Sequence, residues 1–206
     1  MKLPKKLTQG PIGNLFYALL GVLVAVIFYY VILRSALATD LPMVAVVSNS
    51  MYHGPSNSIT ENLCGIKVEK YQDIDSFWNI CSSTYRQFNI TKEQFMSFPS
   101  SNGFHAGDMP IVKGSDEYKV GDIIVYTVPC PVAVSLGMLC PEAPIIHRIV
   151  KINEDGTYQT KGDNNDNQIP YEHSVKSEWI HGKVIFVVPK VGYFKMMLNK
   201  MIGAIK

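Results

Sequence analysis

Two hydroxyl side chains follow an apolar run early in the chain. The run 44–47 alternates in the manner of a β-strand, and Ser48, Asn49, Ser50 and Met51 come where it stops. A serine hydroxyl becomes a useful nucleophile when a neighbouring base takes its proton. Serines at strand ends more often form turn hydrogen bonds, so Ser50 is a catalytic candidate only if the chain supplies partners for it.

Candidate partners come later in the sequence. Among the five histidines, His147 alone lies inside an apolar strand pattern, 145–152. A neutral imidazole suits the role of general base, although a lone strand histidine is more often structural. Asp163 and Asp166 lie in the polar loop that follows the next hairpin and are candidates to orient the imidazole. Their alternative role is to cap that loop.

The elements that position these groups begin with an uncharged segment from Leu15 to Leu33. At about 1.5 Å per residue, it nearly spans a hydrocarbon core of about 30 Å. We expect a transmembrane anchor over residues 15–38, with a cytoplasmic N-terminus at 1–14 because the lysines precede the segment. The alternative is a cleavable signal peptide ending near the small residues 35–38, but the apolar run is long for one.

The rest of the sequence predicts a mainly β domain outside the cytoplasm over residues 39–190. Short strand patterns and hairpin turns favour a coiled antiparallel sheet or barrel. An inserted, aromatic-rich and mainly α-helical subdomain is expected at 53–106, with Thr91 capping one of its helices and a glycosylation sequon at Asn89. The tail, 191–206, has lysines at helical intervals and predicts an amphipathic helix on the membrane surface.

Composition narrows the chemistry further. The formal net charge of +2 and the lack of a long basic tract argue against nucleic-acid binding. The four cysteines lack the close spacing of a zinc site, so we expect no metal and no cofactor. Outside the cytoplasm they can form two disulfides, and of the three pairings we favour Cys64 with Cys81 and Cys130 with Cys140.

Four short segments then carry a family resemblance. In this order after the anchor, 48–51 (SNSM), 119–126 (KVGDIIVY), 145–150 (IIHRIV) and 160–165 (TKGDNN) resemble the boxes of type I signal peptidases. The resemblance covers the anchor and most of the domain, but not the insertion or the tail. Histidine at position 147 is similar to the archaeal and endoplasmic-reticulum branch, since the bacterial enzymes carry a lysine base there.

The resemblance implies a role for each matching residue. Ser50 would be the nucleophile and His147 the general base, with the Ser48 hydroxyl and the Ser50 backbone N–H forming the oxyanion hole. The strand Val44, Ala45, Val46 and Val47 would bind an extended substrate by strand addition. Asp163 and Asp166 both remain candidates for the third residue, because the relatives' second aspartate has no counterpart here. Lys161 as a lysine base is the disfavoured alternative.

The expected function is therefore that of a single-pass membrane serine endopeptidase. It would remove signal peptides from exported preproteins after small residues at −1 and −3, with membrane lipid and the export machinery as further partners. Two alternatives stay open: a specialised processing peptidase with few substrates, and an anchored binding or assembly subunit that is not an enzyme.

Overall fold

A long apolar helix begins the described part of the chain. The computed structural model describes residues 10–53, 61–68, 73–141, 143–194 and 196–197. Helix α1 runs from Gly10 to Leu37, with a π-helical segment at Phe28–Leu33. It is 28 residues long, and no residue of its most apolar window is buried. By length and composition it can cross a membrane once or act as a signal sequence; it starts before the predicted 15 and ends one residue short of 38.

The end of α1 is fixed to the folded domain. Ala38 takes a left-handed conformation that stops the helix, and Gly114 donates its N–H to the Leu37 carbonyl at 2.8 Å. A Cβ at Gly114 would lie 1.9 Å from the Ala38 carbonyl oxygen, so this approach requires glycine. Thr39 donates its hydroxyl to the His181 carbonyl at 2.7 Å.

The centre of the domain is an antiparallel sheet of five strands, which lie side by side in the order 109–113, 180–188, 123–126, 145–152 and 158–161. The strands are β3 (Met109–Lys113), β4 (Ile123–Tyr126), β5 (Ile145–Ile152), β6 (Tyr158–Lys161) and β7 (Ile180–Val188). Helix α4 (Cys130–Ser135) lies between β4 and β5, and 3₁₀ turns occur at Pro170–His173 and Ser177–Trp179. The antiparallel sheet is confirmed, but the chain as a whole mixes helices and strands rather than being mainly β.

The predicted insertion contains both kinds of element. Its described part holds a hairpin of β1 (Glu61–Leu63) and β2 (Ile66–Val68), then helices α2 (Ile74–Arg86) and α3 (Lys92–Ser97). Thr91 caps α3 as predicted, accepting from the Gln94 N–H at 3.2 Å. Phe77, Tyr85 and Phe95 are fully buried in a hydrophobic core that also includes Val150 of β5. Asn89, in the sequon, is exposed.

Two disulfides close local loops, Cys64–Cys81 and Cys130–Cys140, in the predicted pairing. The first joins the β1–β2 hairpin to α2, and the second ties both ends of the α4 segment. Most of the predicted tail helix lies outside the described residues. In the described start of the tail, Tyr193 contacts Gly107, just before β3. This is the edge of the sheet opposite to the one where α1 is attached.

Candidate active site

The hydroxyl of Ser50 meets the imidazole of His147. Ser50 Oγ lies 3.1 Å from His147 Nε2, across 97 positions of sequence. Met51 fixes the turn that carries Ser50 to the domain core. Its side chain is buried, with 1% exposed, and its carbonyl accepts the Phe104 N–H. His147 projects from β5 toward this turn. The two residues predicted as nucleophile and base are therefore brought into hydrogen-bonding contact.

The carboxylate on His147 is Glu172. One oxygen, Oε1, forms a short hydrogen bond with His147 Nδ1, and the other accepts the Ile169 N–H at 2.8 Å. Glu172 is fully buried. Because a carboxylate only accepts, Nδ1 must carry the proton, and Nε2 is left to accept from Ser50. This is the tautomer that a general base toward Ser50 requires.

The prediction that Asp163 orients His147 is wrong. Asp163 is fully buried and binds Arg148 at 2.7 Å, Tyr85 at 2.7 Å and His53 at 3.0 Å. Burial alone would raise the pKa of Asp163, but the Arg148 charge and the bonds from His53 and Arg148 hold it well below the usual range. The cause lies in the strand: His147 and Arg148 are consecutive in β5, so their side chains point to opposite faces.

Asp166 does not contact His147 either. Its side chain is exposed, accepts the neighbouring Asn167 N–H at 2.8 Å, and lies against Gly65 of the β1–β2 hairpin. Both nitrogens of the His147 ring are already occupied by Ser50 and Glu172. The prediction for Asp166 as the orienting acid is therefore wrong as well.

Sequence reasoning missed Glu172 because the acid was sought only in the loop after β6. Glu172 lies in the 3₁₀ turn Pro170–His173, and its side chain returns to the backbone N–H of Ile169. The signal was present locally, since proline at the first position and glutamate at the third are typical of a capped turn. That pattern indicates a turn, however, and not a contact with a histidine 25 positions earlier.

Ser48 stands on the other side of the nucleophile. Its hydroxyl lies 3.2 Å from Ser50 Oγ and is exposed. A donor at this place can reach an oxygen bound to the same carbon that Ser50 attacks. The arrangement agrees with the role predicted for Ser48 and does not by itself test it.

Asn164 holds the turn that carries Ser50. Its N–H donates to the Ser50 carbonyl at 2.7 Å, and its side-chain amide donates to the Asn49 carbonyl at 3.2 Å. The Cys64 N–H in turn donates to the Asn164 carbonyl at 3.2 Å. Since Cys64 is bonded to Cys81, the nucleophile turn is supported from behind by the disulfide of the insertion.

Gly162 provides the room for the base. A Cβ at this position would lie 2.8 Å from His147 Nε2 and 2.7 Å from Asn165 Nδ2. Any other residue would displace one of these side chains, so the ring of His147 lies directly over a glycine. Gly162 and Asp163 therefore contact opposite faces of β5: Gly162 lies against His147, and Asp163 binds Arg148.

Lys161 is buried beside this loop but does not contact Ser50 among the described hydrogen bonds. Its ammonium donates to the carbonyls of Gly162 at 2.9 Å and Asp163 at 3.5 Å, and also to that of Asn165. Burial lowers the pKa of Lys161 from 10.5 to about 8. The geometry makes it a support for the 162–165 loop and gives no reason to treat it as the base.

A cleft of about 260 Å³ opens in front of Ser50. One wall is the extended segment 45–47 and the other is the start of β5 with residues 143–146, and Phe104 and Tyr171 also line it. The N–H groups of Val44 and Val46 donate to the carbonyls of Pro110, in β3, and of Asp108, just before β3. In an extended segment the intervening backbone groups, those of Ala45 and Val47, face the opposite way, toward the cleft.

Within the described residues no cluster of three or more His, Cys, Asp or Glu side chains is arranged to hold a metal ion. A search against models of known protein families finds no match for this chain. The functional conclusion therefore depends on the geometry of the site and on the order of its sequence segments.

Proposed function

We propose that this chain is a membrane-anchored serine endopeptidase that removes N-terminal signal peptides from exported preproteins. The observation that carries the proposal is the line of three groups, Ser50, His147 and Glu172, at the end of an apolar cleft lined by the extended segment 45–47. The ordered segments that resemble type I signal peptidases add the substrate class. In this account Glu172 replaces the aspartate of the archaeal and reticulum relatives.

The chemistry follows from the hydrogen bonds. Ser50 Oγ attacks the scissile carbonyl while its proton passes to His147 Nε2, and Glu172 stabilises the imidazolium that forms. The oxyanion is held by the Ser48 hydroxyl and the Ser50 N–H. His147 then gives the proton to the leaving amine as the C–N bond breaks. Water attacks the acyl-enzyme with His147 again as base, and His147 returns that proton to Ser50 Oγ as the ester bond breaks. Both steps balance without a metal or cofactor.

Substrate selection follows from the cleft. The backbone groups of Ala45 and Val47 offer an extended substrate a strand to pair with. Alternate substrate side chains then enter a small apolar space walled by residues 143–146. The resemblance to type I signal peptidases adds the preference for small side chains at −1 and −3. Helix α1, as an uncleaved span with its N-terminus cytoplasmic, would keep the cleft at the outer membrane surface where such substrates emerge.

The test is cleavage of a purified preprotein with an Ala-x-Ala site by the full chain in detergent, with the new N-terminus sequenced. We expect one cut after the second alanine, and loss of that cut when leucine replaces the alanine at −1 or −3. Cleavage at unrelated places would contradict the proposed specificity. Binding of the preprotein without cleavage would favour the anchored binding subunit instead.

A further inference from the structure

The insertion carries a motif that the proposed peptidase does not use. Asn89, Ile90 and Thr91 form the sequence Asn-x-Thr, in which the asparagine side chain is the acceptor of N-linked sugar in exported proteins. The motif is short and common, so by itself it says little. The structure shows whether its asparagine can be reached and whether its threonine has another role.

Asn89 lies in the turn between α2 and α3 and is exposed. Its φ of 59° is left-handed, a conformation that asparagine adopts more readily than most residues. The backbone N–H donates to the Arg86 carbonyl at 2.9 Å, which fixes the turn, whereas the side-chain amide makes no hydrogen bond within the described residues. The Nδ2 atom of Asn89 is therefore accessible on a turn that the fold holds in place.

Thr91 has a structural role that can be separated from the motif. Its hydroxyl accepts the Gln94 N–H at 3.2 Å, and its own N–H donates to Gln94 Oε1 at 2.8 Å, so that the pair caps α3. Serine, aspartate and asparagine cap helices as well as threonine does. Only serine and threonine, however, complete the acceptor motif. The two roles therefore respond differently to substitution at position 91.

Open space surrounds Asn89 on both sides. One groove, of about 420 Å³, is also lined by Trp78 and Arg86, and a second, of about 470 Å³, by Phe98 and Ile152. Among the described residues, neither groove shares a residue with the cleft at Ser50. A large group on Asn89 therefore has room next to the domain and does not close the cleft.

We propose that Asn89 carries an N-linked oligosaccharide. In the transfer, Asn89 Nδ2 bonds to the anomeric carbon of a lipid-phosphate-linked oligosaccharide as the bond from that carbon to the phosphate oxygen breaks. The lipid phosphate leaves, and one amide proton passes to the base of the membrane oligosaccharyltransferase that catalyses the step. The inference rests on the extracytoplasmic placement of the domain in the proposed function, and not on its peptidase activity.

Mass spectrometry of the peptide 87–92 (QFNITK), which trypsin releases by cutting after Arg86 and Lys92, tests the proposal directly. The full chain is produced in cells whose exported proteins carry N-linked sugar and is isolated from their membranes. We expect added oligosaccharide mass on this peptide in the wild type and in Thr91→Ser. Both Asn89→Gln and Thr91→Asp should carry none, although aspartate keeps the cap of α3.

Cleavage of the Ala-x-Ala preprotein should be the same in all four chains, because the grooves at Asn89 are separate from the cleft. Sugar on the peptide of the Thr91→Asp chain would show that the motif does not direct the modification and would refute the proposal.

A control variant separates this inference from the placement of the domain. Asp155→Asn creates a second acceptor motif with Gly156 and Thr157, in the exposed turn between β5 and β6. Sugar at position 155 with an unmodified Asn89 in the same chain would refute glycosylation of Asn89 and leave the extracytoplasmic placement intact. If neither position is modified, the placement and the inference are refuted together. Sugar on Asn89 in a chain that cuts no preprotein would refute the peptidase alone and support this inference.

Discussion

The side chain of Glu172 offers the sharpest test of the site, through the substitution Glu172→Gln. The carboxylate now accepts two hydrogen bonds, one from His147 Nδ1 and one from the Ile169 N–H. A glutamine of the same size has one accepting oxygen and one donating amide group. If the oxygen stays on the Ile169 N–H, the amide donates to Nδ1 and moves the imidazole proton to Nε2. His147 can then no longer accept the proton of Ser50.

The opposite rotamer does not rescue the site. With the oxygen on His147, the amide N–H groups face the Ile169 N–H, so two donors meet at a cost of about 1–3 kcal/mol, and the neutral amide no longer stabilises the imidazolium that forms on proton transfer. Loss of the correct tautomer costs a serine peptidase about 10⁴-fold in kcat. This equals about 5 kcal/mol of transition-state stabilisation. We therefore expect kcat to fall by about that factor while the folded structure persists.

The assay is single-turnover cleavage of the Ala-x-Ala preprotein, with thermal unfolding of each purified variant measured beside it. The matched variant is Asp163→Asn, which should act mainly on stability because it leaves Arg148 buried without its partner, a loss of about 3–5 kcal/mol. A Glu172→Gln chain within tenfold of wild-type activity would refute the reasoning. So would an Asp163→Asn chain of normal stability and no activity.

Three further predictions concern the supports of the nucleophile turn. Asn164→Ala removes one hydrogen bond to that turn and should lower kcat about tenfold with little change in the free energy of unfolding. An unchanged kcat would contradict the claim that Asn164 holds Ser50 in place. Replacing Cys64 and Cys81 together by alanine, or reducing their disulfide, should lower activity while the domain is still folded. Cleavage measures the activity and circular dichroism the folding. Full activity in the reduced chain would contradict this prediction. Because burial lowers the pKa of Lys161 to about 8, the folded chain loses this proton before the unfolded chain does. Relative to Lys161→Met, the wild type should gain about 3 kcal/mol in free energy of unfolding as the pH rises from about 8 to 10.5. If denaturant titrations show the same difference between the two chains at every pH, the burial of this charge is contradicted.

Much of the site was predictable because its partners carry local signals. Ser50 follows shortly after the alternating apolar run 44–47, and His147 places a polar group in a mostly apolar strand pattern. The hairpin between β5 and β6 follows from its turn residues, and the disulfides follow from a preference for local pairing. In these cases the short-range pattern and the tertiary contact agree.

The acid was not predictable in the same way. Asp163 looked suitable because it follows Gly162 in the segment that resembles the family. Because side chains alternate along β5, however, Asp163 lies on the face of Arg148 and binds that residue instead of His147. Glu172 reaches His147 only through the path of the chain between β6 and the 3₁₀ turn, which no short pattern specifies. The prediction for the insertion was likewise incomplete, because it missed the β1–β2 hairpin. This hairpin has no strong strand pattern of its own and depends on its contact with Asn164.

The measurement that tests the central claim most directly is cleavage of the Ala-x-Ala preprotein by the wild type, Ser50→Ala and His147→Ala, each purified as the full chain and shown to be folded. The account predicts a single cut by the wild type and none by either variant. Cleavage by a folded Ser50→Ala chain at the same site would contradict the claim that Ser50, activated by His147 and Glu172, is the nucleophile.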